Sequence, residues 1–365
     1  MKIFIEESAL PFALSQEIMA KFPYEVIPSW EKFKWELLPE EELVSVGKRR
    51  LFLVNFKGEF LKHCPGTKNY LCCGYQIFHI GEGCPLDCSY CILQLYLNRP
   101  GLKLWANLLE DGFRRLIDFL DESKKRKSVI RIGTGEFTDS LALEAITGIS
   151  EKLINLWLKY DPYGLLELKT KVYLPEGFYQ KTKGTPKVIF AWSVNTEKII
   201  AEEEKGTASL EARLKSALLA VKHGFSVAFH FDPMIYYEGA ETEYPRVLEK
   251  ILNLIPLKKI AWISLGTLRF PKPLKDIAQK RFPVSKIYSF EFVEGLDLKL
   301  RYFIEIRKKL YKTMANLIKS TEREVTYYFC MESERIWREV LAVNLHDFAG
   351  LKDLLDRTAK RLCSH

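Results

Sequence analysis

The stretch Cys84-Pro85-Leu86-Asp87-Cys88-Ser89-Tyr90-Cys91 decides how this chain reads. It carries three cysteines in the spacing C-x3-C-x2-C, entered from a strand-like run and leading into a helix-like one. Three thiolates this close can hold an iron-sulfur cluster through three of its irons and leave one iron without a protein ligand, where a small molecule can bind. Structural zinc is the competing use. It wants four ligands, yet no further Cys or His lies a few residues downstream, and His79 is upstream on a strand-like run.

Outward from this loop the chain alternates. Strand-like runs at Gln76–Ile80, Val129–Ile132, Leu165–Lys169, Val188–Ser193, Ser226–Phe231 and Lys259–Leu265 are separated by helix-length segments at Leu109–Lys125, Leu141–Leu158, Ser209–His223 and Tyr244–Leu254. Six such strands predict an α/β chain whose parallel sheet rolls into a partial (β/α)6 TIM-type barrel over residues 76–275, with chemistry at the carboxyl ends of the strands. A doubly wound open sheet competes, but no G-x-G-x-x-G follows the first strand. Residues 1–75 read as a small α/β unit and connector, and 276–365 as a basic C-terminal region. That region holds an amphipathic helix carrying Phe303, Ile306, Leu310, Met314 and Leu317, a late strand Val325–Cys330 and a helical tail Leu351–Leu362.

Composition excludes other classes. The 365 residues, 47% hydrophobic and 13% aromatic, are enough to bury a large core and argue against disorder. A net charge of +8 permits an anionic partner without requiring one. Eight cysteines in so long a chain do not resemble a secreted disulfide framework, and the close triplet points to metal and a reducing compartment. No apolar run reaches the ~20 residues that span a bilayer, and the start Met1-Lys-Ile-Phe-Ile reads as a strand, so a cytoplasmic protein is expected.

The cysteine loop after a first barrel strand, with Tyr90 before the third cysteine, resembles the cluster loop of radical S-adenosylmethionine enzymes. Cys88-Ser-Tyr-Cys-Ile-Leu-Gln94, Thr170-Lys171, Ser193-Val-Asn195, and Gly206-Thr207 followed by Arg213 are similar in order and spacing to the spore photoproduct lyase family. The resemblance implies that Cys84, Cys88 and Cys91 ligate a [4Fe-4S] cluster whose fourth iron is chelated by S-adenosyl-L-methionine. It assigns the Gly133-Thr-Gly135-Glu136 turn to the methionine end of that cofactor, Asp139 and Ser140 to its ribose or carboxylate, and Lys171 to its carboxylate. Ser193 and Asn195 would bond the ribose or carboxylate, and Tyr90 would lie near the adenine. It further implies reductive cleavage of the cofactor to a 5′-deoxyadenosyl radical that takes hydrogen from a substrate, an electron donor such as ferredoxin or flavodoxin, and a DNA lesion or other nucleobase as substrate.

The chain departs from that family where it matters. The lyases carry a hydrogen-donating cysteine in the stretch that here reads Gly135-Glu-Phe-Thr138, and a tyrosine where this chain has Ile92. Tyr96, Cys72 and Cys73 can substitute only if the fold brings them to the barrel mouth; Cys64, Cys72 and Cys73 with His63 could hold zinc, but their spacing matches no usual C-x2-C pair and favours buried or spare thiols. In the fifth strand, alternation puts His230 and Asp232 on one face, as a candidate catalytic pair or a buried His–Asp hydrogen bond. Arg269–Lys286 and Lys299–Lys312 each hold six basic residues and one acidic, candidate contacts for nucleic acid or solvated surface. Three readings therefore stand: a radical enzyme on a nucleobase-containing substrate, the same chemistry on another substrate, and a non-catalytic nucleic-acid-binding protein with a structural metal.

Overall fold

A computed structural model describes residues 1–66, 69–96, 100–321, 324–343 and 349–364. Its centre is a parallel sheet of seven strands in chain order: β1 (Gln76–Phe78), β2 (Ile130–Gly133), β3 (Gly164–Thr170), β4 (Val188–Ser193), β5 (Ser226–Met234), β6 (Ile260–Thr267) and β7 (Tyr327–Phe329). Leu61–His63 adds an antiparallel strand on the β1 edge. The sheet curls into the expected half-barrel. β4 (VIFAWS) and β6 (IAWISLGT) are buried at every position, as strands covered on both faces must be. Helices Asp111–Lys125, Ile149–Tyr160, Leu210–Lys222 and Ala240–Leu254 provide the crossovers. The expected single helix over Leu141–Leu158 is broken by Gly148, which sits at φ +57° between two helical pieces.

A second sheet lies ahead of the barrel, in the order Glu25–Ile27, Lys2–Glu6, Arg50–Val54, Leu102–Trp105, Gly81–Glu82. Its last two strands flank the cysteine loop in sequence and pair with each other, so the loop leaves from and returns to one edge of this sheet. At the other end, helix Ala349–Cys363 packs against β2, β3 and β6 and so bridges strands that are not neighbours, with Asp356 paired at 3.0 Å to Arg131 of β2.

The amphipathic helix runs from Ile304 to Lys319, but its buried stripe is Arg307, Leu310, Tyr311, Met314, Ala315 and Ile318. Phe303, expected in that stripe, is 53% exposed. The helix is rotated from the apolar pattern because Arg307 occupies a core position, neutralised there by both oxygens of the fully buried Glu332 at 2.8 and 2.7 Å. No helix among the described residues is long and apolar enough to cross a membrane.

Candidate functional site

At the carboxyl ends of the barrel strands lies a cavity of about 360 Å³. Cys84, Cys88 and Cys91 all line it, facing Gly135, Glu136, Lys171 and Ser193 at the ends of β2, β3 and β4. The cysteine loop is held from outside. Asp87–Cys88 pairs antiparallel with Lys205–Glu204, and Lys48 donates to the carbonyls of Cys84 and Leu86 at 3.0 and 2.5 Å. The Gln94 amide donates to the carbonyls of Cys88, Ser89 and Cys91, while Arg281 grips Asp87 and the Gln94 side chain.

Burial, with the nearby Asp139 charge, pushes the Cys84 thiol up to about 12, and burial likewise drives Cys88 well above its ordinary value. Thiols so placed stay protonated unless a cation takes the place of the proton. Among the described residues no three His, Cys, Asp or Glu side chains converge as one metal ion requires. All three cysteines line one cavity, the arrangement that three thiolates on separate irons of a cluster with an open fourth iron require.

The hub behind the cysteine loop was not legible as such: Glu204, fully enclosed and paired in register with Cys88, joins three of the sequence-predicted contacts. It accepts from the Tyr90 hydroxyl, from Lys171 Nζ at 3.2 Å and from Asn195 Nδ2 at 3.3 Å, and pairs with Arg213 Nη2 at 2.6 Å. Burial alone would raise its carboxyl, but the charges of Lys171 and Arg213 and the hydrogen bonds of Tyr90 and Arg213 hold it at about 2. Thr196, capping the helix Glu197–Glu203, and Ser209, capping Leu210–Lys222, fix the turn that presents Glu204 to Arg213. The one signal for it in sequence was its place between that capped helix and Gly206-Thr207.

Several predicted contacts stand behind the cavity wall instead of on it. Asn195 is buried, bonded also to the Pro233 carbonyl and the Tyr244 hydroxyl. Ser140 is buried, its hydroxyl accepting from Thr134 and from the Lys169 amide. Asp139 borders the cavity, but both its oxygens are taken by the amides of Leu141, Ala142 and Lys171 and the Thr170 hydroxyl, so it braces the β2 loop against β3.

His230 and Asp232 do not pair with each other as hydrogen-bond partners. His230 is buried with Nε2 2.8 Å from Glu167, which also accepts from Tyr75 at 2.6 Å and Trp262 at 2.9 Å. Burial would raise Glu167, yet the His230 charge and hydrogen bond, then Tyr75, hold it at about 2. Gly133 is obligatory here, because a Cβ would lie 1.7 Å from the Tyr75 oxygen. His230 is therefore part of the barrel core and does not reach the cavity. Asp232 does, clamped by Arg269 Nη1 and Nη2 at 2.9 and 3.2 Å, close over Gly266. Lys169, unnoticed in sequence, also lines the cavity, 3.7 Å from Glu136; burial disfavours its charge, but Glu136, Glu167 and Asp232 more than restore it.

Tyr96 reaches the cavity wall and is 51% exposed; Cys72 and Cys73 are not on the wall. Cys330, packed against the core at the end of the late strand, lies nearer, 3.6 Å from Arg269 Nη2 and one residue before cavity-lining Met331. Four arginines of the two basic runs are spent internally: Arg269 on Asp232, Arg281 on Asp87, Arg301 on Asp297 and Arg307 on Glu332.

The family model for spore photoproduct lyase matches residues 67–329. The chain belongs to the spore photoproduct lyase family. It is 25% identical over 292 residues to the spore photoproduct lyase of Geobacillus sp. (strain Y412MC61), covering 78% of this chain and 83% of the relative. To that of Bacillus subtilis (strain 168) it is 26% identical over 210 residues, 56% of this chain and 59% of the relative. A spore photoproduct lyase double mutant with bound AdoMet and dinucleoside spore photoproduct has the same fold, with a TM-score of 0.78 at 22% identity over 90% of this chain and 98% of that one. The protein is thus a radical S-adenosylmethionine enzyme of the lyase type.

Proposed function

We propose that Cys84, Cys88 and Cys91 hold a [4Fe-4S] cluster, that S-adenosylmethionine binds beside it, and that the enzyme acts on a DNA lesion or another nucleobase-containing substrate. The observation that carries this is the convergence of all three cysteines with Lys171, Ser193 and Glu136 on one cavity. When bound, cluster and cofactor supply a 5′-deoxyadenosyl radical that takes hydrogen from substrate carbon. The chain itself binds, orients and excludes water. Lys171 offers a cation already oriented by Glu204 and Tyr90, suited to a carboxylate. Gly135 lets backbone approach the ligand, and Glu136 can accept from an ammonium. Beyond them Lys169, Arg269 and Lys299 line the cavity with Asp232 and Glu136, a charged wall for a polar substrate.

Anaerobic purification tests the reading: about four irons per chain with matching sulfide, absent from the triple alanine variant of Cys84, Cys88 and Cys91, and 5′-deoxyadenosine on reduction with cofactor. Zinc in place of iron would overturn it. With a dinucleotide spore photoproduct, restored thymines assign repair. A second reading, the same radical chemistry on a substrate that is not nucleic acid, is favoured by Ile92, by Phe137 near the family's donor position and by the internally paired arginines; cofactor cleavage uncoupled from repair would select it.

A further inference from the structure

We propose that the exposed basic edge outside the cysteine loop, formed by Lys205 and the segment 280–286, docks a small acidic one-electron carrier protein. The inference rests on the cluster reading above and goes beyond it by placing the partner.

Segment 281–288 and the strand Glu204–Lys205 are the outer support of the loop. Arg281 holds Asp87 at 2.8 Å, the Ser285 hydroxyl donates to Glu203 at 2.8 Å, and the Tyr288 hydroxyl donates to the Ser89 carbonyl at 3.2 Å. In the two-stranded ladder Glu204 faces Cys88 and Lys205 faces Asp87. Lys205 Nζ lies 5.1 Å over the Phe282 ring, tying the strand to the segment. A protein seated on this edge is therefore one residue or one hydrogen bond from a cluster ligand. Electron transfer falls off steeply with distance, and this edge adjoins the loop that carries the cysteines.

The charge on the edge is one-sided. Lys205, Lys280 and Lys286 are exposed, and Val284 among them is 84% exposed. The nearest acids turn inward: Glu203 and Glu204 are each 3% exposed and engaged with Ser89, Ser285, Arg213 and Lys171, and Asp87 is held by Arg281 and Lys48. Exposed acids nearby include Asp276, about a turn back on the helix Lys272–Arg281, Glu42 on the helix Glu40–Gly47 that packs against it, and Glu202, paired with Lys198. Basic side chains around one apolar tip match the small, salt-sensitive interfaces of redox partners. Lys205, Lys280, Val284 and Lys286 do not line the cavity, so a substrate there leaves the edge open. In sequence the Arg269–Lys286 run reads as a candidate nucleic-acid contact or solvated surface, and the proposal concerns only its last residues, Lys280 to Lys286.

The test uses the reconstituted holoenzyme and a reduced flavodoxin as probe, with cluster reduction followed by electron paramagnetic resonance. Wild-type reduction should slow as salt rises. Lys280→Glu/Lys286→Glu should slow it about tenfold at low salt, while reduction by dithionite and iron content stay at wild-type values. Lys205→Glu, on a separate element, should act in the same direction. Unchanged flavodoxin rates in both variants would overturn the proposal, as would loss of binding to a short oligonucleotide with flavodoxin reduction intact. Failure of dithionite to reduce any cluster in the wild type would instead sink the cluster reading itself.

Discussion

Glu204 and Arg213 meet at 2.6 Å with neither side chain exposed to solvent. One carboxylate there balances two cations, Arg213 and Lys171, and orients a third donor, Asn195. Glu204→Gln removes the charge and leaves both cations uncompensated, which costs about 3–5 kcal/mol for a buried pair. Denaturant unfolding at neutral pH measures the loss. The sign with pH also follows. Glu204 sits near 2 in the fold against an ordinary 4.5, so the unfolded chain binds its proton first as pH falls. Its contribution, about 3 kcal/mol, is complete above the ordinary value and is lost as pH falls through 4.5 toward 2. Wild type should show that acid-limb loss and Glu204→Gln should lack it.

Asp139 carries a second prediction. Its carboxylate accepts from three backbone amides and the Thr170 hydroxyl, so Asp139→Ala strands four donors at the joint between the β2 loop and β3. A loss of about 3 kcal/mol is expected, with a lower denaturant midpoint. Asp139→Asn should recover only part, since its NH2 must face an amide donor. If Asp139 served mainly as a cofactor contact, either variant would leave the midpoint of the unliganded protein unchanged.

His79 gives a prediction of opposite sign. Both ring nitrogens are buried without a hydrogen-bond partner, and the ring packs 5.3 Å from Phe56, 5.2 Å from Trp105 and 4.8 Å from Phe137. The nearby Glu82, 3.7 Å away, is already held by Lys103. Burial, then Lys62 and Lys103, depress the imidazole from 6.5 to about 3. Below pH 6.5 the unfolded chain takes up a proton that the folded one refuses, so stability falls with pH down to about 3. His79→Phe should raise stability by about 1 kcal/mol near neutrality and flatten this acid dependence. Thermal midpoints at two pH values decide it.

The half-barrel was legible because β-rich, mostly apolar runs such as Val188–Ser193 alternate with helix-length segments, and the cluster loop because its three cysteines are local in sequence. The rest of the cradle is made of long-range pairs. Nothing in the sequence ties Glu204 to Tyr90, or Arg307 to Glu332, since a charge reads as surface until its partner is placed beside it. Alternation put His230 and Asp232 on one face of the strand and left open which way that face points. It was silent on depth: Glu167 and Trp262 claim His230 in the core, while Asp232, within the register shift of β5, meets Arg269 at the mouth.

Arg281 supplies the last prediction. Its guanidinium contacts Asp87, the Gln94 side chain and the Ser45 hydroxyl at 3.0 Å, and Gln94 in turn donates to the carbonyls of all three residues Cys88, Ser89 and Cys91. The cation thus positions two thiol-bearing residues without touching a sulfur. Arg281→Lys keeps the charge but loses the planar fork that serves three partners at once. Groups that orient ligands typically change metal affinity by 10- to 100-fold, so iron release to a chelator should run about tenfold faster in the variant at unchanged initial iron content. Arg281→Met should release iron faster still. An unchanged release rate in both would mean that Lys48, through the carbonyls of Cys84 and Leu86, holds the loop unaided.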